Sequence, residues 1–266
     1  MSIDVIGIDH IREKPDSVLL VTAGIQLAGM VAMLMVLPFD SRLVSGVNPW
    51  FKPIKFTQSI AVYVLTVAWM LAYLRISRRG KQIISWGVSV CVLFQISFIT
   101  LQAARGTTSH FNMSTPFDAT VALLMDVMDL LNTIFVIALL VFACRGKYAV
   151  SRPTQWGIAS GLVIFLGASA IGVVMVILGG PVVGGDGGPG LPILNWSTTG
   201  GDLRPAHFLG LHALQILPVS GWLINQWAGS SMRLKLAGVV ATATVIAAFI
   251  TFLYVQAMNG VPLSRS

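Results

Sequence analysis

Apolar residues fall in seven long runs along this chain, and nearly all the charged residues lie in the connections and tails outside them. The runs cover residues 18–37, 56–74, 83–103, 119–143, 157–178, 207–228 and 234–255. Each is about 20 residues long, which at a rise of 1.5 Å per residue matches the hydrocarbon thickness of a bilayer. None alternates with a period of two, as a barrel strand would. Lipid offers backbone groups no partners, so every run is predicted to be a helix. The expected fold is an all-α bundle of about seven membrane-spanning helices, forming one domain over residues 18–258.

Composition agrees. Hydrophobic residues make up 55% of the 266 and charged residues only 10%, against roughly 25% charged in soluble domains. Residues 1–17 mix both charge signs and lack the basic start of a cleaved signal, so the first run reads as a retained span. A net charge of +7 reads here as orientation rather than as a nucleic-acid surface. Arg75, Arg78, Arg79 and Lys81 lie between spans two and three, Arg145, Lys147 and Arg152 between four and five, and Arg233 and Lys235 between six and seven. Short basic loops face the cytoplasm. The N-terminal segment is then expected inside, with the tail 259–266 and the long loop 179–201 on the periplasmic side. Cys91 and Cys144 lie within or at the inner end of spans, so no disulfide framework is expected.

Three polar motifs occupy the opposite, alternate connections. They are residues 48–56 (NPWFKPIKF), 105–112 (RGTTSHFN) and 201–207 (GDLRPAH). Alternate connections share one side of a membrane, so these motifs are expected to meet. Arg42, Lys52, Lys55, Arg105 and Arg204 then sit on the side that disfavours cations. Lys52, Lys55, Arg105 and Arg204 are candidates to clamp an anion, whether a lipid phosphate, a carboxylate or the propionates of a haem. His110 and His207 stand at the same face, with His212 about 7 Å deeper.

Inside the fourth run, Asp126 and Asp129 are three apart and share a helix face with Asn132 and Thr133. A carboxylate at mid-bilayer costs roughly 2.5–3.5 kcal/mol on the insertion scale, so this face is expected to turn into the bundle. Asp126 is expected to face and orient His212. The candidate pocket therefore has a floor of Asp126, Asp129, His212 and Gln215, and a rim of Lys52, Lys55, Arg105, His110, Asp202, Arg204 and His207. His110, His207 and His212 are the candidate metal or haem ligands, and His212, Asp126, Asp129 and His110 the candidate catalytic groups.

Other residues have local expectations. Thr115, Pro116 and Asp118 read as the capped start of span four, and Asp202 as the N-cap of span six. Gly157, Gly161, Gly167, Ala168 and Gly172 in span five, and Ala241, Ala243, Ala247 and Ala248 in span seven, read as packing faces. Trp50, Trp156 and Trp227 read as interface anchors, with Trp50 also a possible wall of the site. Pro218 is expected to bend span six. The glycine-rich stretch 184–190 lacks the features of a phosphate loop and reads as a flexible loop or a lid anchored by Trp196.

The runs 48–56, 105–118 and 201–215 resemble motifs of a family of uncharacterised bacterial polytopic inner-membrane proteins. That resemblance spans most of the chain. It implies a multi-pass topology and a bacterial inner membrane, and carries no catalytic residues. Retinal proteins are excluded, because the last span has no lysine beyond Lys235 at its end. His207 and His212 depart from the His-x-x-x-His pair of the zinc membrane hydrolases of the progestin-receptor and ceramidase type.

Three functions stay open on the sequence. One is a haem- or zinc-dependent membrane enzyme acting on a lipid-like or quinone-like substrate. The second is a proton-coupled transporter or anionic-lipid-binding protein. The third is an assembly factor that meets other membrane proteins or a second copy of itself.

Overall fold

The structure, a computed structural model, describes residues 16–145, 149–185 and 190–264. Residues 1–15 of the N-terminal segment, Lys147, residues 186–189 of the glycine-rich stretch and the last two residues lie outside the described residues.

Seven helices are long and apolar enough to cross a membrane. They are α1 (Ser17–Val36), α2 (Phe51–Tyr73), α3 (Arg78–Arg105), α4 (Pro116–Arg145), α5 (Arg152–Ile177), α6 (Arg204–Asn225) and α7 (Met232–Met258). The only strands among the described residues are β1 (Val182–Val183) and β2 (Gly201–Asp202), an antiparallel pair.

Local chemistry explains the helix starts. α1, α3, α5 and α7 begin at one end of the bundle, each behind a side chain that accepts an orphan backbone N–H. The caps are Asp16, Ser77, Ser151 and Ser231. α2, α4 and α6 begin at the other end, here called the motif end, and use other devices. Asn48 Oδ1 accepts the Trp50 N–H at 2.9 Å. Thr115 Oγ1 accepts the Asp118 N–H at 3.1 Å. Asp202 Oδ1 accepts the Arg204 N–H at 2.9 Å.

α2 starts at Phe51, five residues before its apolar run. Pro53 is tolerated because first-turn N–H groups have no helical partner anyway. The consequence matters for the site: Lys52 and Lys55 stand on the first turns of a helix, not on a loop. α6 likewise begins at Arg204, with Pro205 in its first turn.

The tightest contact in the bundle is α5 against α6, and glycine makes it possible. A Cβ on Gly157 would fall 2.3 Å from the Leu217 carbonyl oxygen, and one on Gly221 would fall 2.4 Å from that of Pro153. A Cβ on Gly161 would fall 3.0 Å from the Ala213 carbonyl oxygen, and Pro218 is buried in the same contact. Gly167 meets nothing. The alanine face expected in α7 does not pack as a whole, because Ala241 and Ala248 are exposed; α7 instead buries Val239, Ile250, Leu253 and Ala257. α1 packs on α2 and α3, while α4 packs on α3 and α5.

One core joins α1 to α6 around Leu71, Val88, Leu139, Ile158 and Leu214. A second lies at the motif end among Ile171, Met175, Leu203, Ala206 and Leu253. It seats the start of α6 and the β1–β2 pair. Cys91 is buried and Cys144 exposed, both as free thiols.

Candidate functional site

The three polar motifs do meet at one end of the bundle. From α2, Lys52 Nζ donates to His110 Nδ1 at 3.2 Å. Ser109 Oγ lies 3.2 Å from the same nitrogen. Nδ1 is thus the acceptor of the ring, and its proton sits on Nε2. Phe56 and Phe111 flank the imidazole at 5.8 and 6.0 Å between ring centres.

The loop that presents His110 is braced from within. Gly106 ends α3 in the left-handed region at φ +71°. The Asn112 amide donates to Thr107 Oγ1 at 2.9 Å and to the Thr108 carbonyl at 3.1 Å, and its oxygen accepts from Ser114. Burial, then the nearby charge of Lys52, then His207 hold the His110 pKa well below the usual histidine value.

His207 stands at the start of α6, near enough to His110 for the two rings to interact electrostatically. Its Nδ1–H donates to the Ala168 carbonyl on α5 at 2.7 Å. Gly172 makes room for the ring: a Cβ there would lie 3.1 Å from His207 Cε1. Only Nε2 of His207 remains as an acceptor.

Lys55 reaches the other way. Its Nζ donates to the carbonyls of Ile193 and Leu194 at 2.7 and 3.1 Å. Arg204 donates to the Asn195 carbonyl and forks onto Asp202, with contacts at 2.5, 2.9 and 3.1 Å. Ile193 and Asn195 both have positive φ, 63° and 56°. For a β-branched residue such as Ile193 this is a strained conformation. The loop therefore turns its carbonyls toward the cations despite the strain. Lys52 is partly buried, and the charges of Arg204 and then Lys55 reach it, so the three basic groups form one electrostatic group.

Several expectations need correction. Arg105 does not join that group. Its guanidinium pairs with Asp118 and the Gln102 side chain, and Asp118 also accepts from Thr115 Oγ1 at 2.6 Å and from Gln102 Nε2 at 2.8 Å. Asp118 is thus both cap and counter-ion. Asp126 and His212 are not paired. α4 packs on α3 and α5, whereas His212 donates from Nδ1 to Gln215 Oε1 at 3.2 Å, and Gln215 reaches Thr66 on α2 at 3.3 Å. His212 also packs on Phe208, which meets Trp196. His212 therefore stands apart from His110 and His207, and the three do not converge on one point. Among the described residues no three metal-ligating side chains come together. Trp50 is not a lipid-facing anchor: it is buried, and its indole N–H donates to Asp40 Oδ2 at 2.8 Å. Trp156 and Trp227 are exposed, as anchors would be.

Two features escaped the sequence reading. Asp40 binds the Arg42 guanidinium at 2.6 and 2.9 Å besides Trp50. The Arg42 hydrogen bond holds its carboxyl well below the usual range, and the Arg42 pKa rises in return. The second is a polar stripe down α2. Lys52, Lys55, Ser59, Tyr63 and Thr66 recur at intervals of three or four, hence on one face. Tyr63 donates to Asn132 Oδ1 on α4 at 3.0 Å and stacks on Phe165 of α5. That spacing was visible in the sequence.

No family model matches the chain, and neither a curated protein nor a solved structure matches it.

The geometry of the site separates the cations into two kinds. Arg42, Arg105 and Arg204 each pair with an aspartate of their own. Lys52 and Lys55 contact an imidazole and two carbonyls, and no carboxylate among the described residues. With Asp202 already committed to Arg204, the basic groups of the site outnumber its carboxylates among the described residues.

Proposed function

We propose that this chain binds the anionic headgroup of an amphipathic molecule at the motif end of the bundle. Lys52 and Lys55 hold the phosphate or carboxylate, His110 donates from Nε2, and the molecule's apolar part lies against the helices. The observation that carries this reading is the pair of lysines with no carboxylate partner among the described residues, next to a third cation that has one. Partly buried cations of this kind attract an anion more strongly than water-exposed ones. The setting we assign is a bacterial inner membrane with the motif end toward the periplasm, supported by the basic loops at the opposite end.

Arg204 has a defined part. Its fork on Asp202 fixes the start of α6 and so the position of His207. The Ile193–Asn195 carbonyls occupy Lys55 and Arg204 in this structure, and an arriving anion would replace the carbonyls on Lys55.

The experiment is lipid binding to the full chain in detergent, read by native mass spectrometry. Phosphatidic acid and phosphatidylglycerol should bind in preference to phosphatidylcholine. The preference should weaken with salt and vanish in the Lys52→Gln/Lys55→Gln double variant. Equal binding of phosphatidylcholine would overturn the reading.

One observation favours a second reading. His207 donates Nδ1–H to the Ala168 carbonyl and leaves Nε2 free, the arrangement in which an outer hydrogen bond fixes the ring of a metal- or haem-ligating histidine. His207 would hold such a haem, and Lys52 and Lys55 would be the cations available to its propionates. Oxidised and reduced visible spectra of mildly purified protein, with metal analysis, test it. A Soret band lost in His207→Ala would support haem, and a colourless, metal-free protein would exclude it.

A further inference from the structure

Asp129 is exposed on α4 rather than turned into the bundle, so it does not bound the lysine site. The loop of residues 190–196 does. Its neck is closed by backbone pairing. The Leu191 N–H donates to the Trp196 carbonyl at 2.8 Å, and the Asn195 N–H donates to the Leu191 carbonyl at 2.7 Å. Gly190 belongs to this closure, since a Cβ there would fall 2.5 Å from the Asn195 carbonyl carbon. Beyond the neck, the Trp196 ring meets Phe208 on α6, and the Ser197 N–H donates to Asp202 Oδ2 at 2.7 Å.

The tip is held differently. Pro192, Ile193 and Leu194 are exposed, so apolar burial contributes little to its position. The Leu194 N–H donates to the Pro192 carbonyl at 2.6 Å across a three-residue turn. Ile193 is the centre of that turn at φ 63°, the rare and strained hand of the γ-turn. The turn aims three successive carbonyls at cations: those of Ile193 and Leu194 accept from Lys55, and that of Asn195 accepts from Arg204. The remaining tether among the described residues is the Asn195 amide, which donates to the Ser45 carbonyl at 3.3 Å. The cations thus hold an exposed, strained tip, and its carbonyl oxygens take the place that the oxygens of an anion would take.

We propose that residues 192–195 are an autoinhibitory flap on the anion site, an inference that rests on the headgroup reading above. In the closed state the flap gives its carbonyls to Lys55 and Arg204. An arriving phosphate or carboxylate takes those donors, and the tip lifts about its fixed neck. Lifting lets Ile193 return to negative φ, so backbone strain favours the open flap while the cation contacts favour the closed one. Anion affinity is reduced by the fraction of molecules in which the flap is closed.

Residue 193 offers two substitutions of opposite sign. Ile193→Gly removes the penalty for positive φ, worth roughly tenfold in an equilibrium, and so favours the closed flap. Phosphatidylglycerol should bind it several-fold more weakly than wild type. Ile193→Pro cannot take a positive φ, so the flap opens and phosphatidylglycerol should bind more tightly. Native mass spectrometry of the full chain in detergent reads both. Hydrogen exchange supplies a second measurement: the Leu194 and Asn195 amides should exchange faster in wild type on addition of phosphatidylglycerol, and in Lys55→Gln without lipid. The flap is overturned if both Ile193 variants bind as wild type does, or if exchange rises in neither case, even where the anionic preference itself holds. The headgroup reading fails on a different result, an Ile193→Pro protein that shows no preference for phosphatidylglycerol over phosphatidylcholine with its flap open. That result also overturns the flap as a gate for anions.

Discussion

The arginines and the lysines of the motif end have different jobs, although they lie within one surface. Arg42 pairs with Asp40 and reaches the Ala104 carbonyl at the end of α3. Arg105 pairs with Asp118 and ties the end of α3 to the start of α4. Arg204 pairs with Asp202 and fixes the start of α6. Each arginine fork spends its donors on a local carboxylate and a structural carbonyl or amide. Lys52 and Lys55 have no such counter-ion among the described residues. A loop's cationic content therefore says little about ligand binding; the balance between cations and neighbouring carboxylates says more.

Substitutions can break this contrast or sharpen it. The largest expected effect is on the lysines. A charge-assisted contact of about 1.5 kcal/mol is worth roughly tenfold in affinity. Lys52→Gln/Lys55→Gln should weaken anionic-lipid binding by about 100-fold while leaving the melting temperature in detergent close to wild type. If affinity holds and melting falls, the lysines are structural and the contrast fails.

Asp118→Asn should behave in the opposite way. Its carboxylate is buried and takes hydrogen bonds from Arg105, Gln102 and Thr115. The variant should melt several degrees lower and bind anionic lipid about as well as wild type. Lipid binding that collapses with it would place Arg105 back in the site.

Arg204→Lys probes the cation that belongs to both groups. A lysine keeps the charge but loses the fork on Asp202. A modest loss is expected in both readouts, of roughly 1 kcal/mol each. A change in only one would assign Arg204 wholly to structure or wholly to binding.

The smallest effect concerns pH. His110 is held neutral by burial and by Lys52 and His207, so its folded pKa lies below the unfolded value near 6.5. Above about pH 6.5 both states are neutral and stability is unaffected. Below it the unfolded chain takes up a proton that the folded site refuses, so stability falls with falling pH. Melting curves between pH 7 and 5 should drop less in His110→Gln. An equal drop in both proteins would mean that His110 accepts a proton within the fold.

Much of the architecture was legible beforehand. All seven spans appear, with ends shifted by a few residues where polar first turns extend the helices, as at Lys52, Lys55 and Arg204. The capping of α4 by Thr115 and Asp118 was legible because capping is local. So was the meeting of the three motifs, which follows from their place in alternate connections. The partner of each side chain was not legible. Asp126 and His212 are set at comparable depth by helix rise, yet α4 packs on α3 and α5 while His212 reaches α2 through Gln215. Depth follows from counting residues; azimuth depends on which helices adjoin. Arg105 looked like a free cation because its counter-ion, Asp118, was already explained as a cap.

The sequence alone determined that this chain is a seven-helix membrane protein whose three polar motifs, two of them histidine-bearing, lie opposite its short basic loops. Bilayer thickness and backbone hydrogen bonding leave a run of twenty apolar residues few other choices. Only the tertiary structure decided which cations are neutralised. Counter-ions act over a few ångströms, and those distances depend on how α3 meets α4, how the start of α2 meets the loop of His110, and how glycines let α5 and α6 close on each other.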